Sequence, residues 1–189
     1  MTYGDVPGGK WSLPDDEAQA LQPPVRAAVL IRLHSRYKYA LMAYSPALYK
    51  TTGRLLAQVG TLSPAALCDT AETWTQALVS AFSQPATRAN MTNALMHMQG
   101  YFKRVLTTQE KQQMTDMILA YRQGTDTPEA VKAMLLHYAQ LHDVRYLCDQ
   151  ALLQPVAADG SVTLRSEQSV TVAHIIISPV THQHQNGDQ

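Results

Sequence analysis

Helix-start signals recur along this chain as a hydroxyl residue followed at once by proline. In the middle of the chain they are Ser45-Pro46, Ser63-Pro64 and Thr127-Pro128. A serine or threonine side chain can cap the free amides of a helix, and proline suits the first helical position because that position needs no amide hydrogen. The pair Thr107 and Glu110 adds the spacing of a capping box. These signals predict an all-α fold.

The helix-start and helix-end signals divide the middle of the chain into about six helices, which we expect to form a single bundle. We expect them near residues 25–44, 46–59, 64–82, 89–106, 108–123 and 128–150. Gly60 and Gly124 lie where helix ends are expected, and His142-Asp143 is a point where the last helix can break. A hydrophobic fraction of 46% in 189 residues is enough for one core.

The two ends of the chain differ from this middle. Residues 1–24 are rich in proline and acids, so we expect a flexible acidic arm outside the core. We expect the helical domain to span residues 25–165 and an extended tail to span residues 166–189. Because 161–164 and 169–177 are β-branched, the C-terminal segment is expected to be extended and β-like. No apolar stretch is long enough to span a membrane and no secretory signal is recognisable, so we expect a cytoplasmic protein without membrane contact.

Charge is distributed unevenly, although the formal total is zero, with 15 basic and 15 acidic residues. Residues 26–104 carry a formal charge of +7, whereas 1–25 carry −3 and 105–189 carry −4. No acidic residue occurs from Ala18 to Cys68, and a second acid-free run extends from Thr73 to Gln109. The neutral total argues against binding of nucleic acid, but a basic centre without acidic neighbours makes an external anion a serious candidate.

The predicted first helix combines an apolar face with basic flanks. Arg32 with Arg36, and His34 with Lys38, are pairs four residues apart, so each pair lies on one flank of the helix. Tyrosines that could stack on bases or lie in the core are interleaved with the basic residues. The apolar face comprises Val29, Leu30, Leu33, Tyr37, Ala40, Leu41 and Tyr44, and the interleaved tyrosines are Tyr37, Tyr39, Tyr44, Tyr49 and Tyr101.

The predicted helix over 89–106 also has two faces. Its apolar positions are Met91, Ala94, Leu95, Met98, Phe102, Val105 and Leu106. The opposite stripe is polar and consists of Asn93, His97, Gly100 and Arg104. A glycine in mid-helix would let a ligand or a backbone approach closely, but a solvated face or a crossing helix would explain the stripe equally well.

Signals for catalysis and metal binding are weak. The histidines form no metal-binding spacing, Cys68 and Cys148 are isolated, and phosphate-binding or nucleophile-elbow loops are not found. We therefore expect no metal and no cofactor. His34 and His97 are the candidate catalytic residues, as acid or base, if the fold brings them together. Whether the protein is an enzyme stays open. The preferred interpretation is that it has no autonomous catalytic activity.

Several motifs make the sequence similar to the YbgA-like family of domains. The resemblance spans about residues 28–165 and is carried by the pattern HSRYK at 34–38, by LMAYS at 41–45, and by NALMHMQGYFK at 93–103. Further matches are Tyr49, Gly53, Glu110-Lys111, Tyr121-Arg122, Gly124, His137-Tyr138 and Gln150. Tyr44 departs from the family pattern, which often has histidine there, and this weakens an acid–base role at that position.

The resemblance implies an RNA-related role. In the YbgA-like family the helical domain occurs alone or fused behind a desulfidase domain that acts on thiouracil or on 4-thiouridine in tRNA, and the helical part is thought to hold the tRNA. The segment before the helices is too short for the desulfidase and its cluster-binding cysteines are missing, so we expect no desulfidase activity from this chain by itself.

Three functions follow as hypotheses. The first is an RNA-binding accessory domain of thionucleotide metabolism, with tRNA as the first candidate and a desulfidase-type protein as a possible partner. The second is a small enzyme that acts on a modified nucleotide or small molecule with His34 and His97 in one pocket. The third is a binding module for a desulfidase or repair protein. The expected nucleic-acid contacts are Arg32, His34, Arg36, Lys38, Asn93, His97, Gly100, Tyr101, Lys103 and Arg104.

Overall fold

The computed structural model of the protein describes residues 11–154, which form eight α-helices and three 3-10 turns and contain no strand. The all-α prediction is confirmed for these residues. The expected β-like segment and the rest of both termini lie outside the described residues. The helices are α1 (Asp15–Ala20), α2 (Ala27–Tyr44), α3 (Pro46–Leu56), α4 (Pro64–Phe82), α5 (Arg88–Gln99), α6 (Thr108–Gln123), α7 (Pro128–Leu141) and α8 (Arg145–Cys148).

Local capping explains where most helices begin and why the sequence located them. The side chains of Ser45, Ser63 and Thr127 each accept a hydrogen bond from the backbone amide three residues on. Thr107 and Glu110 form the expected capping box. Gly124 ends α6 in the left-handed region, at φ 90°.

Two predicted helix ends are wrong, and one anticipated break is confirmed. The helix expected over 46–59 ends at Leu56, after which a 3-10 turn carries Val59 into the core. The helix expected over 89–106 ends at Gln99, because Gly100–Phe102 form a 3-10 turn instead, and Val105 beyond it is exposed. The helix expected over 128–150 is broken at the anticipated point, where Asp143 has φ 49°.

Helix α2 lies at the centre of the fold. It packs against α3, α4, α5 and the 3-10 turn over Ala151–Leu153. Every residue of its predicted apolar face is buried. The predicted apolar face of the 91–106 segment is buried as well, except for Val105. Removing that much apolar surface from water supplies the main stabilisation of the bundle.

The described part of the N-terminal segment, residues 11–24, is not the arm outside the core that we expected. Trp11 and Leu13 are buried, and the Trp11 ring meets Phe82 edge-on at 4.7 Å between centroids. Three acids in the first turn favour α1 through the helix dipole. The segment therefore folds onto the bundle because it carries apolar anchors among its acids and prolines.

Candidate functional site

An open cavity of about 650 Å³ lies between α2 and α3. One helical face of α2 and one of α3 form its walls, and a single aromatic residue of α8 closes one side. Because Ser45 both ends α2 and caps α3, the two helices are joined by one residue and stay side by side. The lining residues are Ile31, His34, Ser35, Lys38, Tyr49, Lys50, Gly53, Arg54, Ala57 and Tyr146.

The charge of this cavity has one sign. Lys38, Lys50 and Arg54 line it, and none of its ten lining residues is aspartate or glutamate. All three cations come from the acid-free run between Ala18 and Cys68. Adjacent positive charges without a carboxylate raise the local potential and attract anions.

His34 is a neutral hydrogen-bond donor in the cavity wall. The indole Nε1 of Trp74 donates to His34 Nδ1 over 3.2 Å. An indole nitrogen can only donate, so Nδ1 carries no proton and the proton of the neutral ring is on Nε2. Burial, helped by the charge of Lys38, holds the pKa of His34 below its ordinary value. The ring therefore adds no charge near neutral pH.

Three tyrosines form a cluster beside the cavity. Tyr101 stacks on Tyr146 with centroids 5.2 Å apart, and Tyr39 meets both rings edge-on. The Tyr39 hydroxyl donates to the Tyr101 hydroxyl over 3.3 Å. Burial raises the pKa of Tyr39 and of Tyr146, so both phenols stay neutral and do not offset the cations.

Gln150 holds the aromatic wall in place. Its side-chain amide donates to the carbonyl of Ser35 over 3.0 Å and to that of Tyr146 over 3.2 Å. It is buried, so both bonds form away from water. Gln150 thereby ties the Tyr146 segment to α2, next to the cavity.

Arg36 is placed differently from the phosphate contact that we expected. Its Nε lies 2.7 Å from Oε1 of Glu17, and its Nη1 donates to the carbonyl of Asp149 over 3.0 Å. Only 12% of the Arg36 side chain is exposed. The guanidinium thus joins α1, α2 and the end of α8, which makes it a structural residue.

The expected contacts on α5 and after it lie apart from the cavity lining. Asn93, His97, Lys103 and Arg104 are exposed. His97 does not line the cavity next to His34, so that cavity is not the two-histidine active site required by the enzyme hypothesis.

Other expected contacts have mixed positions. Arg32 is exposed on α2, and Tyr101 is 41% exposed and reaches the cavity only through Tyr146. Gly100 is half-buried with an ordinary φ of −57°, and a Cβ there would meet nothing within 4 Å. No close approach to Gly100 explains the glycine.

Besides Tyr39, two of the interleaved tyrosines belong to the core. Tyr37 is fully buried between Trp11, Trp74 and Phe82, and its hydroxyl donates to Glu17 over 2.7 Å. Tyr44 is buried against Phe82. Neither side chain is available to stack on a base.

Sequence reasoning placed His34 and Lys38 correctly beside each other but did not select the rest of the cavity. Lys50 and Arg54 had a signal, because both lie in the acid-free run. Tyr49 and Gly53 had a signal in the family resemblance. Tyr146 had none, since only the packing of α8 brings it beside α2.

Within residues 11–154, no three histidine, cysteine, aspartate or glutamate side chains gather as a metal-binding group. No helix in that range combines the length and the apolar character needed to cross a membrane.

Comparison with known proteins identifies the family. The sequence profile of the family described as "Protein of unknown function (DUF1722)" matches residues 38–157. The chain is 33% identical over 121 residues to "Uncharacterized protein YbgA" of Escherichia coli (strain K12), a match that covers 64% of this chain and 70% of that protein. No solved structure matches the chain. Because the family profile spans well over half of its length, the chain belongs to the DUF1722 family.

Proposed function

We propose that this protein binds RNA, with tRNA as the first candidate, through the cavity between α2 and α3. The observation that supports this most is the combination of Lys38, Lys50 and Arg54 in a cavity without any acidic lining residue. Phosphates are the ligands that such a surface attracts most strongly, and phosphate contacts dominate the affinity of proteins for nucleic acid.

The pairing of a charged residue elsewhere in the fold supports the same conclusion. The largely buried guanidinium of Arg36 is paired with a carboxylate, that of Glu17. The cavity cations have no such carboxylate among the lining residues. Lys50 and Arg54 are exposed, so both charges are open to an external anion.

Exposed cations outside the cavity extend the surface that an RNA could follow. Arg32 lies on the exposed side of α2, and Lys103 and Arg104 follow the 3-10 turn that carries Tyr101. Tyr101 contacts Tyr146, so this second group continues from the aromatic wall of the cavity. A polynucleotide is long enough to use both groups, whereas a small anion would need only the first.

The cellular setting is part of the proposal. A role in thionucleotide metabolism, in the cytoplasm and alongside a desulfidase-type protein, is supported by the resemblance of the motifs around His34 and His97 to the YbgA-like family. In this setting the protein holds the RNA, and the partner carries out the chemistry.

A salt titration of tRNA binding tests the proposal. We expect fluorescence anisotropy to show binding at low salt, with the affinity falling about 40-fold between about 50 and 200 mM salt if three phosphates are contacted. Undetectable binding at low salt, or an affinity that does not change with salt, would contradict RNA binding through phosphates.

A further inference from the structure

We infer that the cavity between α2 and α3 accepts one unpaired nucleotide, whose phosphate lies against Lys38, Lys50 and Arg54 and whose base packs on Tyr146. The inference rests on the proposed RNA-binding function and goes further, because it assigns the cavity a base as well as a phosphate. A purely electrostatic surface would need no recess and no aromatic wall.

The size of the cavity fits a small organic ligand. Its volume of about 650 Å³ lies in the middle of the range of small-molecule sites, roughly 300–1,000 Å³. A bare phosphate would leave most of this space empty, and a base-paired helix is too wide to enter it. One nucleotide with its base turned out of the strand matches both the volume and the charge.

The aromatic wall is rigid enough to receive a base. One face of Tyr146 is covered by Tyr101, at an interplanar angle of 25°, and Gln150 fixes the backbone of Tyr146. Because its position is fixed by packing, little side-chain entropy is lost when a ring stacks on it. Base–aromatic stacking is the usual way in which proteins hold unpaired bases.

The polar groups of the cavity favour a base edge that accepts hydrogen bonds. The Trp74 contact leaves His34 with its proton on Nε2, and the hydroxyl of Tyr49 can donate as well. No lining residue carries a carboxylate, the group that would select the donors of a base.

A substitution at Gly53 can test whether the cavity holds a base. It lines the cavity, and a Cβ at this position would meet nothing within 4 Å. Gly53→Leu therefore fills the recess without changing any charge, and it replaces glycine with a good helix former inside α3. Gly60→Leu is the matched control, because Gly60 is equally open but does not line the cavity.

The experiment compares two single-stranded decamers of equal phosphate number, one of alternating adenosine and cytidine and one in which every base is replaced by an abasic ribose. We expect the unchanged protein and Gly60→Leu to bind the decamer with bases between about 5-fold and 150-fold more tightly, the range that stacking of one base provides. Gly53→Leu should bind both decamers with the weaker affinity.

The outcomes separate this inference from the proposed function. Equal affinity of the unchanged protein for the two decamers would overturn the nucleotide site and leave RNA binding intact, as would a Gly53→Leu variant that keeps the preference for bases. Binding of neither decamer at low salt would overturn both.

A competition experiment distinguishes a free nucleotide from a nucleotide within an RNA strand as the ligand of the cavity. Adenosine and cytidine monophosphates are added in millimolar excess to the complex with the decamer, with inorganic phosphate as the reference. Displacement by the mononucleotides beyond that by phosphate would show that the cavity accepts a free nucleotide. Displacement no greater than by phosphate, together with the preference for bases, would show that it accepts a nucleotide only within a strand.

Discussion

The indole nitrogen of Trp74 donates a hydrogen bond to Nδ1 of His34 over 3.2 Å. Trp74 is fully buried, so this bond fixes the imidazole from the core side and leaves the Nε2 proton for the cavity. Protonating Nδ1 would set a second donor against the indole. The contact therefore assigns His34 a role as a neutral donor.

The charge of Lys38 acts on His34, so Lys38→Gln should raise the pKa of His34 towards its ordinary value. The direction follows because a neighbouring positive charge disfavours the imidazolium, although burial remains the larger cause of the low pKa. An NMR pH titration of the histidine ring measures the change. Lys103→Gln, an exposed change, is the control, and an unchanged or lower pKa in Lys38→Gln would contradict the prediction.

The low pKa of His34 also predicts how its contribution to stability depends on pH. The unfolded chain binds a proton at His34 near pH 6.5 and the folded chain only below that, so the unfolded state is favoured as the pH falls through this window. His34→Gln, which keeps an oxygen for the Trp74 proton, should lose less stability there. Urea denaturation at several pH values tests this; parallel curves for the two proteins would contradict it.

Glu17 is expected to matter for folding. Glu17→Gln removes the charge that faces Arg36 at 2.7 Å, and it should destabilise the fold by about 2–4 kcal/mol, since Arg36 is left largely buried with an unmatched charge. The exposed neighbour provides the control, with Asp16→Asn changing stability by less than about 0.5 kcal/mol. Similar urea midpoints for the two variants would show that the ion pair contributes little.

Two glycines should respond to alanine in opposite directions. Gly53→Ala should stabilise the protein by about 0.5–1 kcal/mol, because the position is helical, exposed and open. Gly124→Ala should destabilise it by about 1–2 kcal/mol, because φ is 90° and the added Cβ would lie 2.7 Å from Nη1 of Arg88. Thermal and urea unfolding measure both, and a loss of stability in Gly53→Ala would mean that the space beside α3 is already used.

Local sequence signals were sufficient for most of the helical framework. The caps at Ser45, Ser63 and Thr127 depend only on residues within one helical turn, so they could be identified directly. The apolar face of α2 follows from the same short-range periodicity. The shortening at Gly100 was not predicted, because the apolar spacing continues through the 3-10 turn to Phe102.

The site could be predicted only in part, because its chemistry depends on contacts between elements distant in sequence. The acid-free run contains all three cavity cations, but it could not separate Arg36, which faces Glu17, from Lys38, which lines the cavity. It also could not show that α3 supplies Lys50 and Arg54 or that Tyr146 lies beside them. Those relationships arise only when α1, α3 and α8 pack on α2.

The salt dependence of tRNA affinity in two charge-matched triple variants tests RNA binding through the cavity most directly. One variant combines Lys38→Gln, Lys50→Gln and Arg54→Gln; the other combines Lys111→Gln, Arg122→Gln and Arg145→Gln, which lie outside the cavity lining. We predict that the first reduces the slope of log affinity against log salt by about 2–3 and the second by less than about 1. Equal changes in the two variants would contradict binding at the cavity, because net charge alone would then explain the affinity.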